Sequence, residues 1–314
     1  MNPSLPPRSD RPLLALLMRA IAMLLLSTML MLVKLAGEAG VSAPEMLFWR
    51  MAVTIPVLGG WLILTGRLHI LATRRMASHA RRAATGMAGL FCNVVAAMLL
   101  PLAEATTFGF TTPLFAVMMA ALVMKQKVGL WRWTVVVMGF VGVLIIAQPG
   151  HAPVSAPGVA AGLGAGILVA AVSFQVRDLA ATENPISCVF WFAFWGAVMA
   201  AILMPYYAKM HPPKVWLLIV AIGLCGTFAQ FFITSALRFG QVATVVVMDY
   251  TSLVWATLYG VLLWDHLPTR ATWLGAPLII VAGMIITWRE HYLSKAVSPT
   301  SAMDEGAGED AATK

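Results

Sequence analysis

One carboxylate in this sequence falls where carboxylates are costly. Asp249 lies inside the apolar run 241–264, about eight residues and so roughly 12 Å beyond its start at 1.5 Å per residue. That is close to the middle of a hydrocarbon layer about 30 Å thick, where a charge facing lipid costs about 3 kcal/mol or more. Asp249 must therefore face a bundle interior or water. It is either a neutral or paired structural group, or a protonatable carboxylate that touches a passing solute. Tyr250 follows it directly and Trp255 lies six positions on, but adjacent helical positions point about 100° apart. At most one of Asp249 and Tyr250 can point straight at a central cavity.

Two cations pose the next question. Lys34 and Arg50 fall near the outer ends of the runs 13–34 and 45–65, with Glu38 and Glu45 close by in sequence. Either they snorkel and pair with those carboxylates at the interface, or they form a cationic outer gate or an anchor for an anionic group of a solute. Asn93, Gln175 and Gln230 are uncharged polar residues within runs, suited to interhelical hydrogen bonds or to cavity lining. Glu104 opens a fourth run and reads as interfacial. Arg19 lies near enough to the inner face to snorkel. Trp191, Trp195 and Trp255 sit away from the run ends and are the tryptophans suited to a cavity.

The remaining chemistry is thin. His69, His79, His151, His211, His266 and His291 fall in loops or tails with no second ligand at metal spacing. No glycine loop precedes a lysine and serine as phosphate binding requires. Cys92, Cys188 and Cys225 lie in apolar runs, as small buried hydrophobes do. No catalytic residue, metal or cofactor is expected.

The elements that must position these residues follow from composition. With 60% hydrophobic and 11% charged residues in 314, too few polar groups exist to cover a water-facing surface, which excludes an ordinary soluble enzyme. Runs near 20 residues, the length that crosses a bilayer, occur at 13–34, 45–65, 83–100, 102–124 and 131–148. A second set occurs at 158–176, 186–205, 215–236, 241–264 and 271–288. An N-terminus inside gathers fifteen of the 21 lysines and arginines on the cytoplasmic face, including Arg67, Arg74, Arg75, Arg81 and Arg82, against three outside. The net charge of +8 is thus topology and headgroup contact, not nucleic acid. The small, polar, acidic tail 298–314 reads as disordered and cytoplasmic.

QPGHAPVSAPG, from Gln148, separates five runs from five. An odd number per half makes the second half enter from the opposite side, so similarity between halves would be an inverted repeat. AEATTFGFTTPLFAVMMAALVM from Ala103 can be laid on GQVATVVVMDYTSLVWATLYGVLL from Gly240, pairing Glu104 with Gln241, Thr107 with Thr244 and Pro113 with Tyr250. Glycines at 158, 162, 164 and 166, and at 139 and 142, are spaced for helix packing.

These segments carry a resemblance. Lys34 closing the first run, PEMLFWR with Arg50, AEA followed by Pro113, VGLWRW leading into GFVGVLI before QPG, then ALRFG, DYTSLVWA and WDHLP occur in an order similar to EamA-like transporters of the drug/metabolite transporter superfamily, across roughly 13–290. The resemblance implies an all-α polytopic membrane protein with ten transmembrane helices as two inverted five-helix repeats, 13–148 and 158–288, around a central cavity. It also implies passage of small organic solutes across the inner membrane. Two departures are Gln126, where the family usually has glutamate, and Val247, where proline often precedes the second-half tyrosine.

The expected function is secondary transport by alternating access, driven by the solute's own gradient or by protons. The alternative is a membrane-embedded lipid-modifying enzyme or accessory subunit, which clustered intramembrane carboxylates and histidines would favour. Expected partners are a small-molecule solute, the lipid bilayer and protons, with the chain a monomer or homodimer. The candidate substrate-binding or coupling residues are Asp249, Tyr250, Arg50, Lys34, Asn93, Gln230, Trp255 and Pro113.

Overall fold

Among residues 12–125, 129–148, 155–180, 182–239 and 247–297, which the computed structural model describes, every regular element is a helix. Gln126, the linker segment 149–154, positions 241 and 244, and the tail from Ser298 lie outside these residues.

Helix α1 (Pro12–Glu38) is long because nothing in its apolar run interrupts it. It ends in a turn where Gly40 takes φ +86° and the Val41 N–H reaches back to the Ala36 carbonyl at 3.0 Å, a left-handed cap that glycine adopts at little cost. Pro44 then opens α2 (Ala43–Leu64) at a position where a missing N–H is harmless. α3 (Met76–Leu99) begins well before the expected 83, because MASHARRA, though polar, consists largely of good helix formers. The fourth run forms two helices, α4 (Leu102–Gly109) and α5 (Thr112–Leu122). α6 (Leu130–Ala147) and α7 (Ala156–Ala180) flank the linker, and α8 (Pro185–Ala201), the single turn α9 (Met204–Tyr207) and α10 (Pro213–Phe239) follow. A 3-10 turn at Val247–Tyr250 leads into α11 (Thr251–Trp264), and α12 (Arg270–Val297) comes last.

Eight helices are long and apolar enough to cross a membrane, with α4 and α5 counted as one, and α8 is a shorter apolar helix. The ten expected spans are therefore not ten continuous helices. The fourth is broken at Phe110–Thr111, and the ninth enters through a 3-10 turn that leaves an α-helix of 14 residues.

Helices from before the linker pack mainly on helices from after it: α1 on α10, α3 on α7, α6 on α12, and α2 between α8 and α10. The cores lie in these seams. One gathers Met29, Val33, Met46, Ile219 and Ile222, and another gathers Leu100, Phe108, Ile146 and Ile279. Outward-facing Leu64, Leu130 and Trp273 stay exposed, as a lipid-facing surface requires.

Glycine sets the closest approaches. On α7, Gly158, Gly162 and Gly166 lie against Leu100, Phe108 and Phe115, the packing role expected of this set. Between α6 and α12, a Cβ on Gly142 would stand 2.7 Å from the Gly275 carbonyl oxygen, and one on Gly275 would stand 2.5 Å from that of Gly142. Both obstacles are backbone and cannot rotate away. Gly142→Leu or Gly275→Leu should therefore lower the melting temperature, at the top of the roughly 1–3 kcal/mol range for overpacking or beyond it. Fluorescence-detected melts in detergent check this, and unchanged curves for both would separate α6 from α12.

Candidate functional site

Pro113 has no N–H to offer the Gly109 carbonyl, so α4 cannot run straight into α5. Neighbouring hydroxyls meet the freed oxygens: Thr111 Oγ1 donates to the Phe108 carbonyl at 2.6 Å and Thr112 Oγ1 to that of Gly109 at 2.8 Å. The second break uses the same chemistry. Thr251 Oγ1 donates to the Met248 carbonyl at 2.7 Å and Ser252 Oγ to that of Asp249 at 2.6 Å. An unsatisfied carbonyl in a membrane interior costs several kcal/mol, so paired hydroxyls make such breaks tolerable. The sequence signal for the second break is the Thr251–Ser252 pair, which stands in for the missing proline at Val247.

The two breaks touch. The rings of Phe110 and Tyr250 meet edge to face with centroids 5.0 Å apart. Gly283 of α12 lies beneath them, where a Cβ would fall 2.8 Å from Tyr250 Oη and 3.7 Å from Pro113 Cγ. Tyr250 thus faces the other break, whereas its neighbour Asp249 faces α1.

There Asp249 meets Arg19, Nε to Oδ1 at 2.5 Å and Nη2 to Oδ2 at 2.7 Å, the bidentate geometry that makes guanidinium–carboxylate pairs strong. The side chains are 11% and 27% exposed, respectively for Arg19 and Asp249. One expectation changes. Arg19 does not snorkel, because a carboxylate within reach offsets its charge better than a distant headgroup.

Lys34 lies at the opposite end of the bundle. Its Nζ donates to the Leu100 carbonyl at the end of α3, at 3.0 Å, and stands 5.1 Å from the centre of the Trp264 ring. A cation at a helix C-terminus is favourable. With Glu104 it lines a narrow cavity of about 10 Å³, room for one water. Glu104, expected at the interface, is 3% exposed and accepts from Thr272 Oγ1 at 2.9 Å, because α4 starts already inside the bundle. The carboxylates near Lys34 and Arg50 in sequence have their hydrogen-bond partners elsewhere. Glu38 accepts from Trp264 Nε1 at 2.6 Å, and Glu45 pairs with His211 Nε2 at 3.1 Å. Arg50 itself is 8% exposed and lies over Gly226 of α10.

Trp191 and Trp195 donate to the Leu71 carbonyl at 3.0 Å and to Met76 Sδ at 3.4 Å, because the segment joining α2 to α3 packs along α8. Trp255, Asn93 and Gln230 lie partly buried on α11, α3 and α10. Gln175 makes an interhelical bond to Thr85 Oγ1 at 3.1 Å. His79 is not a loop residue: it is fully buried in the first turn of α3, 3.6 Å from Glu183 Oε2. Nearby Thr73 donates to Glu183 at 2.8 Å and Arg75 pairs with Asp178 at 2.5 Å. The bundle thus carries a polar clasp at each end. Lys34, Glu38, Glu104, Thr272 and Trp264 form one, and Arg75, His79, Asp178 and Glu183 form the other. Each clasp joins residues from before the linker to residues after it.

This arrangement matches known proteins along most of its length. A solved crystal structure superimposes with a TM-score of 0.58 at 23% identity, covering 89% of this chain and 98% of that one, and so shares the fold. The riboflavin transporter of Vibrio cholerae is 25% identical over 260 residues, 82% of this chain and 87% of that protein. The pseudopaline exporter of Pseudomonas aeruginosa is 26% identical over 269 residues, 85% and 93% of the two chains. The S-adenosylmethionine uptake transporter of Rickettsia prowazekii is 25% identical over 252 residues, 78% and 83% of the two chains. The model of the EamA-like transporter family matches twice, at 13–148 and at 156–288. With all but the ends and the linker matched, this multi-pass membrane protein belongs to the EamA-like transporter family and is a transporter of small solutes.

Proposed function

We propose that the chain crosses a bacterial inner membrane ten times as two inverted five-helix halves, 13–148 and 158–288, with both termini cytoplasmic. It carries a small organic solute by alternating access, driven by the solute's gradient or by protons. The observation that carries this reading is the meeting of the two breaks, Phe110 and Pro113 of one half against Tyr250 of the other at Gly283. Opposed discontinuous helices at a repeat interface are where secondary transporters hold their solutes. Tyr250, Pro113, Trp255, Asn93 and Gln230 line the route in this reading, and Asp249 is the coupling residue. Polar clasps at both ends supply the two closures that alternate. Relatives named for riboflavin, S-adenosylmethionine and pseudopaline include both an uptake transporter and an exporter, so a metabolite-sized organic solute is the fitting cargo and reversible rocking the fitting device.

The inverted halves are testable by labelling. In a background without Cys92, Cys188 and Cys225, single cysteines at Ala77 and Ala156, both exposed, are offered an impermeant maleimide on intact cells. Ala156→Cys should label at once and Ala77→Cys only after permeabilisation. Labelling of both from one side would overturn the five-and-five arrangement.

A further inference from the structure

Arg50 is a buried charge with no ion-pair partner among the described residues. It lies on α2 about 10 Å from that helix's start, seven residues in at 1.5 Å each. It is more than nine-tenths buried, and its Nη1 has no hydrogen-bond partner among the described residues. Among the described residues no carboxylate forms an ion pair with it: Glu45 on the same helix pairs with His211, Asp178 with Arg75 and Asp249 with Arg19. A buried guanidinium with no counter-charge is strongly unfavourable, and an anion from outside would relieve it; Arg82, buried likewise, has the Cys188 carbonyl and the Phe192 ring instead.

The surroundings prepare the group rather than neutralise it. Gly226 of α10 leaves the room that the side chain occupies, since a Cβ there would stand 2.9 Å from Arg50 Nε and 3.3 Å from Met29 Sδ. Thr54, one turn beyond Arg50 on α2, and Thr227, next to Gly226 on α10, share a hydrogen bond at 2.8 Å. Gln230 follows Gly226 by four residues and so lies on the same face of α10. Lys34, the other candidate, is already engaged by the Leu100 carbonyl and Trp264.

We infer that Arg50 binds the anionic group of the transported solute, a carboxylate or a phosphate, between α2 and α10. This rests on the transport reading above, because α2 and α10 belong to different halves and their separation is what would admit the solute. Bidentate hydrogen bonds to a planar carboxylate or a phosphate are what guanidinium provides and an ammonium does not.

The test is binding, kept apart from transport. Purified protein in neutral-lipid nanodiscs is melted with benzoate or phenyl phosphate, with benzamide and chloride as controls. The parent should be stabilised saturably by benzoate or phenyl phosphate and not by benzamide or chloride. Arg50→Met should lose that response while melting no lower than the parent without anion, since an apolar side chain replaces an unpaired buried charge. Arg50→Lys, which keeps the charge, should respond with affinity reduced about tenfold, the loss of one hydrogen bond of the pair. A response retained in Arg50→Met, a parent indifferent to both organic anions, or chloride acting as strongly as benzoate would each overturn the site. Protein that binds benzoate through Arg50 yet exchanges no solute in proteoliposomes would instead overturn the transport reading and leave the anion site standing.

Discussion

Asparagine at position 249 should cost stability before it costs transport. Asp249 and Arg19 share two short hydrogen bonds with side chains only 27% and 11% exposed. Removing one partner leaves the other charge buried and unpaired, a loss of about 3–5 kcal/mol for a fully buried pair. The partial exposure of Asp249 puts Asp249→Asn near the lower end, about 3 kcal/mol, and Arg19→Gln should lose a similar amount. The double variant carries no unpaired charge and should regain most of that loss. Melts of the four proteins in nanodiscs give the coupling directly, and purely additive losses would mean that the pair contributes nothing. The double variant also separates the two roles of the carboxylate, because it folds without a titratable group. If Asp249 couples protons, that variant should exchange solute but fail to accumulate it under an imposed pH gradient. Accumulation equal to the parent's would make the pair structural and move coupling elsewhere.

Arg19 also marks where reading the sequence stops. Apolar runs are legible because crossing a bilayer is a local demand on about 20 consecutive residues, so α1, α2, α6 and α12 fall close to where composition puts them. Partners are not local. Arg19 lies 230 residues from Asp249 and resembles any arginine near the inner end of a span. Only the packing of α1 beside the second break turns it into a counter-ion. Glu45 shows the same limit in reverse, since five residues separate it from Arg50 in sequence while its actual partner, His211, is 166 residues away in the approach to α10. Arg50 and Lys34 are therefore equivalent candidates in sequence and different objects in the fold. The first break has a sequence cause in Pro113, which enforces it, although the run 102–124 reads as one continuous span. The second rests on Thr251 and Ser252, hydroxyls that occur in many unbroken helices, and carries no comparable signal.

Fastening either end of the bundle should stop solute flux altogether. Glu38 of α1 bonds Trp264 of α11 at 2.6 Å, and Arg75, just before α3, pairs with Asp178 of α7 at 2.5 Å. In each case one residue comes from before the linker and the other from after it, so both contacts tie the proposed halves together, at opposite ends. Rocking about a central site needs each end to part once per cycle. Cysteines at 38 and 264, or at 75 and 178, joined by a short bis-maleimide in a background without native cysteines, should therefore reduce flux in proteoliposomes to that of empty vesicles. The single cysteines treated alike should transport like the parent. The two bridges differ in what they leave open, and that difference carries the mechanism. With the 38–264 bridge, anion binding at Arg50 should persist from the side of the arginine-rich end, and with the 75–178 bridge only from the other. Full flux through a protein bridged at either end would mean that the halves do not rock, and the path would have to run through a unit that stays assembled while the solute passes.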